Sequence, residues 1–96
     1  MKNQNAINAI EEAIKTRSAH DLGDALADAG VSVARQGKRG ATDESIAIPA
    51  YGKVFFHDLE QDAGWVVRDI YRDGCDYPVD DCELVAELAE VVEMKK

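Results

Sequence analysis

The chain has 96 residues, 46% apolar and 31% charged, which fits one small globular domain and is too apolar for a disordered segment. Eleven Lys and Arg against nineteen Asp and Glu leave a net charge of −8, and a surface of that sign repels nucleic-acid backbones and anionic membranes. Two cysteines, Cys75 and Cys82, are too few for the disulfide framework of a small secreted protein.

The first predicted element is a helix from about Gln4 to Thr16, because Ala6, Ile7, Ile10, Ala13 and Ile14 recur at three- and four-residue spacing. Ser18 offers an N-cap for a second helix, with Asp21 three residues on in the manner of a weakened capping box. That helix runs to about Ala29, buries Leu22, Ala25 and Leu26, and ends at Gly30. Gly23 inside it costs about 1 kcal/mol relative to alanine.

The period then changes. Val31 and Val33 alternate with Ser32 and Ala34, which predicts a short half-buried strand, and Gln36 to Ser45 reads as a loop. Ile46, Ile48, Ala50, Val54 and Phe56 share one parity over Ser45–His57, interrupted by Pro49 and Gly52. The run is either two strands around a Pro-Ala-Tyr-Gly turn, which is preferred, or one long edge strand with a bulge. Glu60 to Gly64 reads as a polar turn, Trp65 to Tyr71 as the last strand, and Asp73-Gly74 as its end.

A C-terminal helix carries the strongest local signals. Asp80 can cap it with Glu83 three residues later, and Val79 before the cap can pack on Leu84 as a hydrophobic staple. Leu84, Val85, Leu88, Val91 and Val92 form its apolar stripe, and Lys95 and Lys96 suit the negative end of its dipole. The expected fold is α+β: two N-terminal helices, a three- or four-stranded antiparallel meander and a C-terminal helix in one two-layer domain over residues 1–96.

No cofactor or metal site is expected. His20 and His57 neighbour Asp21 and Asp58 in sequence, but adjacent residues face apart on a strand and do not face each other on a helix. Cys75 and Cys82 do not match zinc-knuckle spacing, and Asp73-Gly74-Cys75-Asp76 does not match a calcium loop. Gly37-Lys38-Arg39-Gly40 lacks the phosphate-loop spacing. The first two helices have the outline of a helix-turn-helix but not the charge of a DNA reader. The second carries Asp21, Asp24 and Asp28 where a recognition helix carries basic or amide side chains. No catalytic residue emerges, and the chain is read as a non-enzyme. No secretory pattern follows Met1 and no run reaches transmembrane length, so a cytoplasmic protein with free thiols is expected.

The charge is uneven. Residues 1–48 hold six basic and seven acidic side chains, whereas residues 49–96 hold five and twelve. Asp58, Glu60 and Asp62 are expected in one turn, Asp73, Asp76, Asp80 and Asp81 in the next connection, and Glu83, Glu87 and Glu90 in a row along the last helix. Such acidic surface keeps a small protein soluble. It also matches the scale of phosphate spacing and can occupy a basic groove built for nucleic acid.

In size, acidity and lack of catalytic motifs the profile resembles that of small phage-encoded anti-defence proteins, including anti-CRISPR proteins; no family motif is matched, so no residue role follows from the resemblance. The function expected is an acidic inhibitor or regulator of a basic nucleic-acid-handling protein, a nuclease or nucleic-acid-guided complex, with no direct contact to nucleic acid or membrane. The alternatives are an immunity protein or antitoxin against a basic toxin, and an oligomeric accessory domain. The expected partner-binding residues are Glu83, Glu87, Glu90, Asp80, Asp76 and Asp73, with Tyr71, Tyr77 or Tyr51 as aromatic anchors.

Overall fold

A computed structural model of the chain describes residues 2–36, 43–60, 64 and 66–94. The elements are α1 (Lys2–Lys15), α2 (Ala19–Asp28), β1 (Ala34–Gln36), β2 (Asp43–Ile48), β3 (Gly52–Glu60), β4 (Val66–Arg72) and α3 (Asp81–Met94). The strands form one antiparallel sheet in the order β1-β2-β3-β4. The α+β fold is thus the one expected, with four strands.

Both N-terminal helices end by the same closure. In α2, Val31 N–H donates to Leu26 O at 2.9 Å and Gly30 N–H to Ala27 O at 2.9 Å, with Gly30 at φ 88°. In α1, Ser18 N–H donates to Ala13 O at 3.0 Å and Arg17 N–H to Ile14 O at 3.1 Å. The left-handed residue there is Arg17, at φ 60°. Glycine normally fills that position because a Cβ costs about 1–2 kcal/mol in it. The Arg17 side chain supplies what offsets the strain: it donates to Ile14 O at 2.8 Å, Arg68 O at 2.9 Å and Asp81 Oδ1 at 2.8 Å. One residue thus joins the end of α1, the edge of β4 and the start of α3.

Both expected N-caps form, but the box at Ser18 is not closed, because the Ser18 N–H donates to Ala13 O and not to Asp21. Ser18 accepts from Asp21 N–H at 3.1 Å, and Asp80 Oδ2 accepts from Glu83 N–H at 3.2 Å. Val79 and Leu84 are both buried in the core. Gly23 has a reason beyond tolerance: a Cβ built there would lie 2.5 Å from Arg35 Nε. Arg35 crosses α2 at that point to pair with Asp24.

The expectation of a strand at Val31 and Val33 is corrected. The Val31 N–H is committed to closing α2, so it cannot join a ladder, and β1 begins at Ala34. The two-strand reading of Ser45–His57 is the observed one: Tyr51 N–H donates to Ile48 O at 2.8 Å across the Pro49-Ala50 turn, and Gly52, at φ 138°, opens β3. Glu60, expected to open a turn, is instead the last residue of β3 and pairs with Val66 in the ladder. Trp65, Asp62, Lys38, Arg39, Lys95 and Lys96 lie outside the described residues.

One face of the sheet carries Ile46, Ile48, Val54, Phe56 and Ile70, each no more than 1% exposed. These join Ile10 and Ile14 of α1, Leu22 and Leu26 of α2, and Leu84 and Leu88 of α3 in a single core. The helices therefore cover that face. The other face presents Lys53, Phe55 and His57 of β3 beside Asp69 and Tyr71 of β4, set by the pairs Phe55↔Tyr71 and His57↔Asp69. The outer edge of β4 is blocked where Val79 N–H donates to Ile70 O at 2.8 Å and Arg17 to Arg68 O, which suppresses pairing with a foreign strand. No helix among the described residues is long and apolar enough to cross a membrane.

Candidate functional site

The acidic residues singled out in the sequence separate into three groups. The first is engaged within the chain. Arg72, at the end of β4, reaches α3 and pairs with Glu83 Oε1 at 3.1 Å and Glu87 Oε2 at 2.8 Å. Glu87 Oε1 also accepts from the Tyr51 hydroxyl at 2.5 Å. This arrangement ties the β2–β3 turn to α3. Burial, and then the hydrogen bond and charge of Glu87, push the Tyr51 phenol above its usual 10.0. Glu83 and Glu87 are adjacent on α3 as the spacing required, but their charge is partly met by Arg72. Tyr51, named as an aromatic anchor, is half-buried and engaged in the same contact.

Asp58 is likewise engaged. It lies within β3 rather than in a turn, directly opposite Arg68 in the register. Arg68 Nε is 2.6 Å from Asp58 Oδ1 and its Nη1 is 2.7 Å from Glu44 Oε2. The three side chains are 15%, 23% and 9% exposed, so this is a largely desolvated ionic bridge across β2, β3 and β4. The Asp58 hydrogen bond is the main force holding the Arg68 guanidinium more firmly protonated than usual. Asp81 pairs with Arg17.

The second group is the connection between β4 and α3. Asp73, Asp76, Tyr77 and Asp80 are all exposed, Tyr77 by 70%. Asp73 N–H donates to Lys53 O at 3.0 Å, which extends the β3–β4 ladder by one bond. Asp80 uses one carboxylate oxygen to cap α3. No described residue forms an ion pair with Asp73, Asp76 or Glu90; Glu90 is exposed on α3, beyond Glu87 in the same row.

The third group lies on the face of the sheet away from the helices, where the structure places Tyr71. The Phe55 and His57 rings are stacked, with centroids 5.9 Å apart and planes at 6°. His57 and Tyr71 meet edge to face at 5.6 Å and 63°. Lys53 Nζ stands 5.7 Å from the Phe55 centroid. The apolar parity through Val54 and Phe56 dominates the sequence of this strand and hides the opposite parity, Lys53, Phe55 and His57. The signal is nonetheless present: an aromatic and a histidine two apart, with Tyr71 in the next strand.

An open groove of about 410 Å³ runs between α1 and α3, with Ile7, Ile14, Val85 and Ala89 along it and Glu11 and Cys82 at its sides. Cys75 and Cys82 are both free thiols. Among the described residues no group of His, Cys, Asp or Glu is arranged to hold a metal ion. His20 Nε2 lies 3.2 Å from Asp24 Oδ2, one turn along α2, and the same carboxylate serves Arg35. These contacts join helix and sheet and form no nucleophile–base pair.

No protein-family model matches the chain, and no curated protein or solved structure matches it either.

Proposed function

We propose that the protein is a non-enzymatic binding module that captures a basic, nucleic-acid-handling protein through the β4–α3 connection. The observation that carries this reading is the contrast between two sets of carboxylates. Glu83 and Glu87 are turned to Arg72 and Asp58 to Arg68, whereas Asp73, Asp76 and Glu90 are exposed with no ion-pair partner among the described residues. Concentrated negative charge on a rigid frame steers a basic partner and raises its rate of encounter.

Tyr77 stands in the middle of this segment as an exposed aromatic of the kind that anchors interfaces. Glu83 and Glu87 belong to the rim, where they hold the frame. A partner whose groove normally receives nucleic acid would accept this surface in its place, which is the inhibitor reading; a basic toxin would satisfy the same electrostatics.

The test is capture from the native host with the parent chain and with D73N/D76N/D80N. Asparagine caps a helix about as well as aspartate, so the start of α3 is preserved in that variant. A basic nuclease or nucleic-acid-guided complex should be retained by the parent, lost on raising salt, and retained poorly by the variant. Equal retention of that protein by both chains, unaffected by salt, would overturn the assignment.

A further inference from the structure

Among the described residues, the face of the sheet away from the helices runs on into the acidic connection. On β4 the outward positions are Asp69 and Tyr71, and Asp73 continues the same parity with its amide still in the ladder. Successive residues on one face of a strand are about 6.5–7 Å apart. The result is a carboxylate, an aromatic ring and a second carboxylate in line, with the Phe55–His57 stack alongside. Asp73 is exposed, and Asp69 and Tyr71 are half-buried. The chain's own Lys53 already stands over Phe55, so this face accepts a cation against a ring.

We propose that this face docks an extended, arginine-bearing segment of the partner, with alternate arginines pairing to Asp69, stacking on Tyr71 and pairing to Asp73. The proposal rests on the reading of a basic partner and names its chemistry. An extended segment repeats its own side chains at the same spacing as β4, so three alternate residues meet three alternate positions. Arginine fits better than lysine because its planar guanidinium stacks on a ring and forks onto a carboxylate, whereas an ammonium is a compact, strongly hydrated point charge. A second copy of the chain is a poorer occupant. Its net charge of −8 would bring Asp69 and Asp73 against a surface of like sign.

The experiment is an amide chemical-shift titration of the whole, isotope-labelled chain with two synthetic peptides, Arg-Ser-Arg-Ser-Arg and Lys-Ser-Lys-Ser-Lys. The arginine peptide should shift the amides of Phe55, His57, Asp69, Tyr71 and Asp73 and bind about threefold tighter than the lysine peptide. Y71L, checked for an unchanged fold by its own amide spectrum, should lose that preference while keeping its affinity for the lysine peptide. Equal affinities of the parent for the two peptides would overturn the arginine assignment and leave the basic-partner reading standing. Shifts confined to Asp76–Asp80 would overturn the sheet face and leave the connection as the site. Concentration-dependent shifts of Phe55 and Tyr71 without peptide would replace the partner segment with a second copy. Failure of both peptides to bind would overturn this proposal, and the capture experiment would decide the broader one separately.

Discussion

Arg17 offers a sharp test of how the fold is held, because two substitutions at one site should rank against ordinary expectation. Its side chain makes three hydrogen bonds, to Ile14 O, Arg68 O and Asp81 Oδ1, and is 30% exposed. Hydrogen bonds from a charged donor contribute about 1.5–3 kcal/mol each when buried, and partial exposure with mutual dependence reduces the total here to about 2–3 kcal/mol. Arg17→Ala removes all three and keeps a Cβ at φ 60°. Arg17→Gly removes the same bonds but relieves the left-handed strain, which recovers about 1 kcal/mol. For a domain of this size 1 kcal/mol corresponds to about 4–8 °C in Tm. Thermal unfolding followed by circular dichroism should therefore place R17A about 10–20 °C below the parent and R17G about 5 °C above R17A. An R17A chain as stable as R17G would refute the claim that the α1 closure is strained and held by the arginine side chain.

The desolvated bridge at Arg68 makes a second prediction. R68M should cost about 2–4 kcal/mol at neutral pH because it leaves Glu44 and Asp58 without their shared cation, and adding E44Q and D58N should restore most of the loss in urea unfolding. Tyr51 gives a pH prediction. Its folded-state pKa is raised, so its contribution to stability is intact below the usual 10.0 and lost as pH rises beyond it. Y51F should flatten the fall in stability above about pH 10, and alkaline absorbance titration should show one of the three tyrosines ionising only as the chain unfolds. At Gly23, alanine gains about 1 kcal/mol of helix propensity but displaces Arg35 from its exposed pair with Asp24. G23A should therefore be near the parent in stability, yet about 1 kcal/mol stabilising in an R35A background, and equal destabilisation in both would contradict the packing account.

What the sequence discloses and what it conceals follow from the range of the interactions. Ser18, Gly30 and Asp80 announce helix ends because each acts within about five residues of itself. The hairpin at Pro49–Gly52 is legible for the same reason. Val31 misleads because its apolar alternation is that of a strand, while its amide is committed to the preceding helix. Arg17 is illegible: of the three acceptors that hold this non-glycine residue in the left-handed region, two lie 51 and 64 positions away.

The acidic row is legible as a row, since Glu83, Glu87 and Glu90 share a helix face. That Arg72 lies under its first two members depends on where β4 ends against α3. The aromatic face is half legible. Phe55 and His57 share a parity, but only the register of β3 with β4 brings Tyr71 to them.

The central claim is that the carboxylates of β4 and its following connection, Asp69, Asp73 and Asp76, bind a basic protein, rather than merely lending the chain solubility. The most direct test is a comparison of two charge-matched variants, D69N/D73N/D76N and E11Q/E12Q/D28N, each carrying three fewer negative charges. Affinity for the basic protein captured from the native host, measured by calorimetry at several salt concentrations, should fall at least about tenfold for the first and change little for the second. Equal losses in the two variants would mean that net charge alone governs the binding, and would contradict the site.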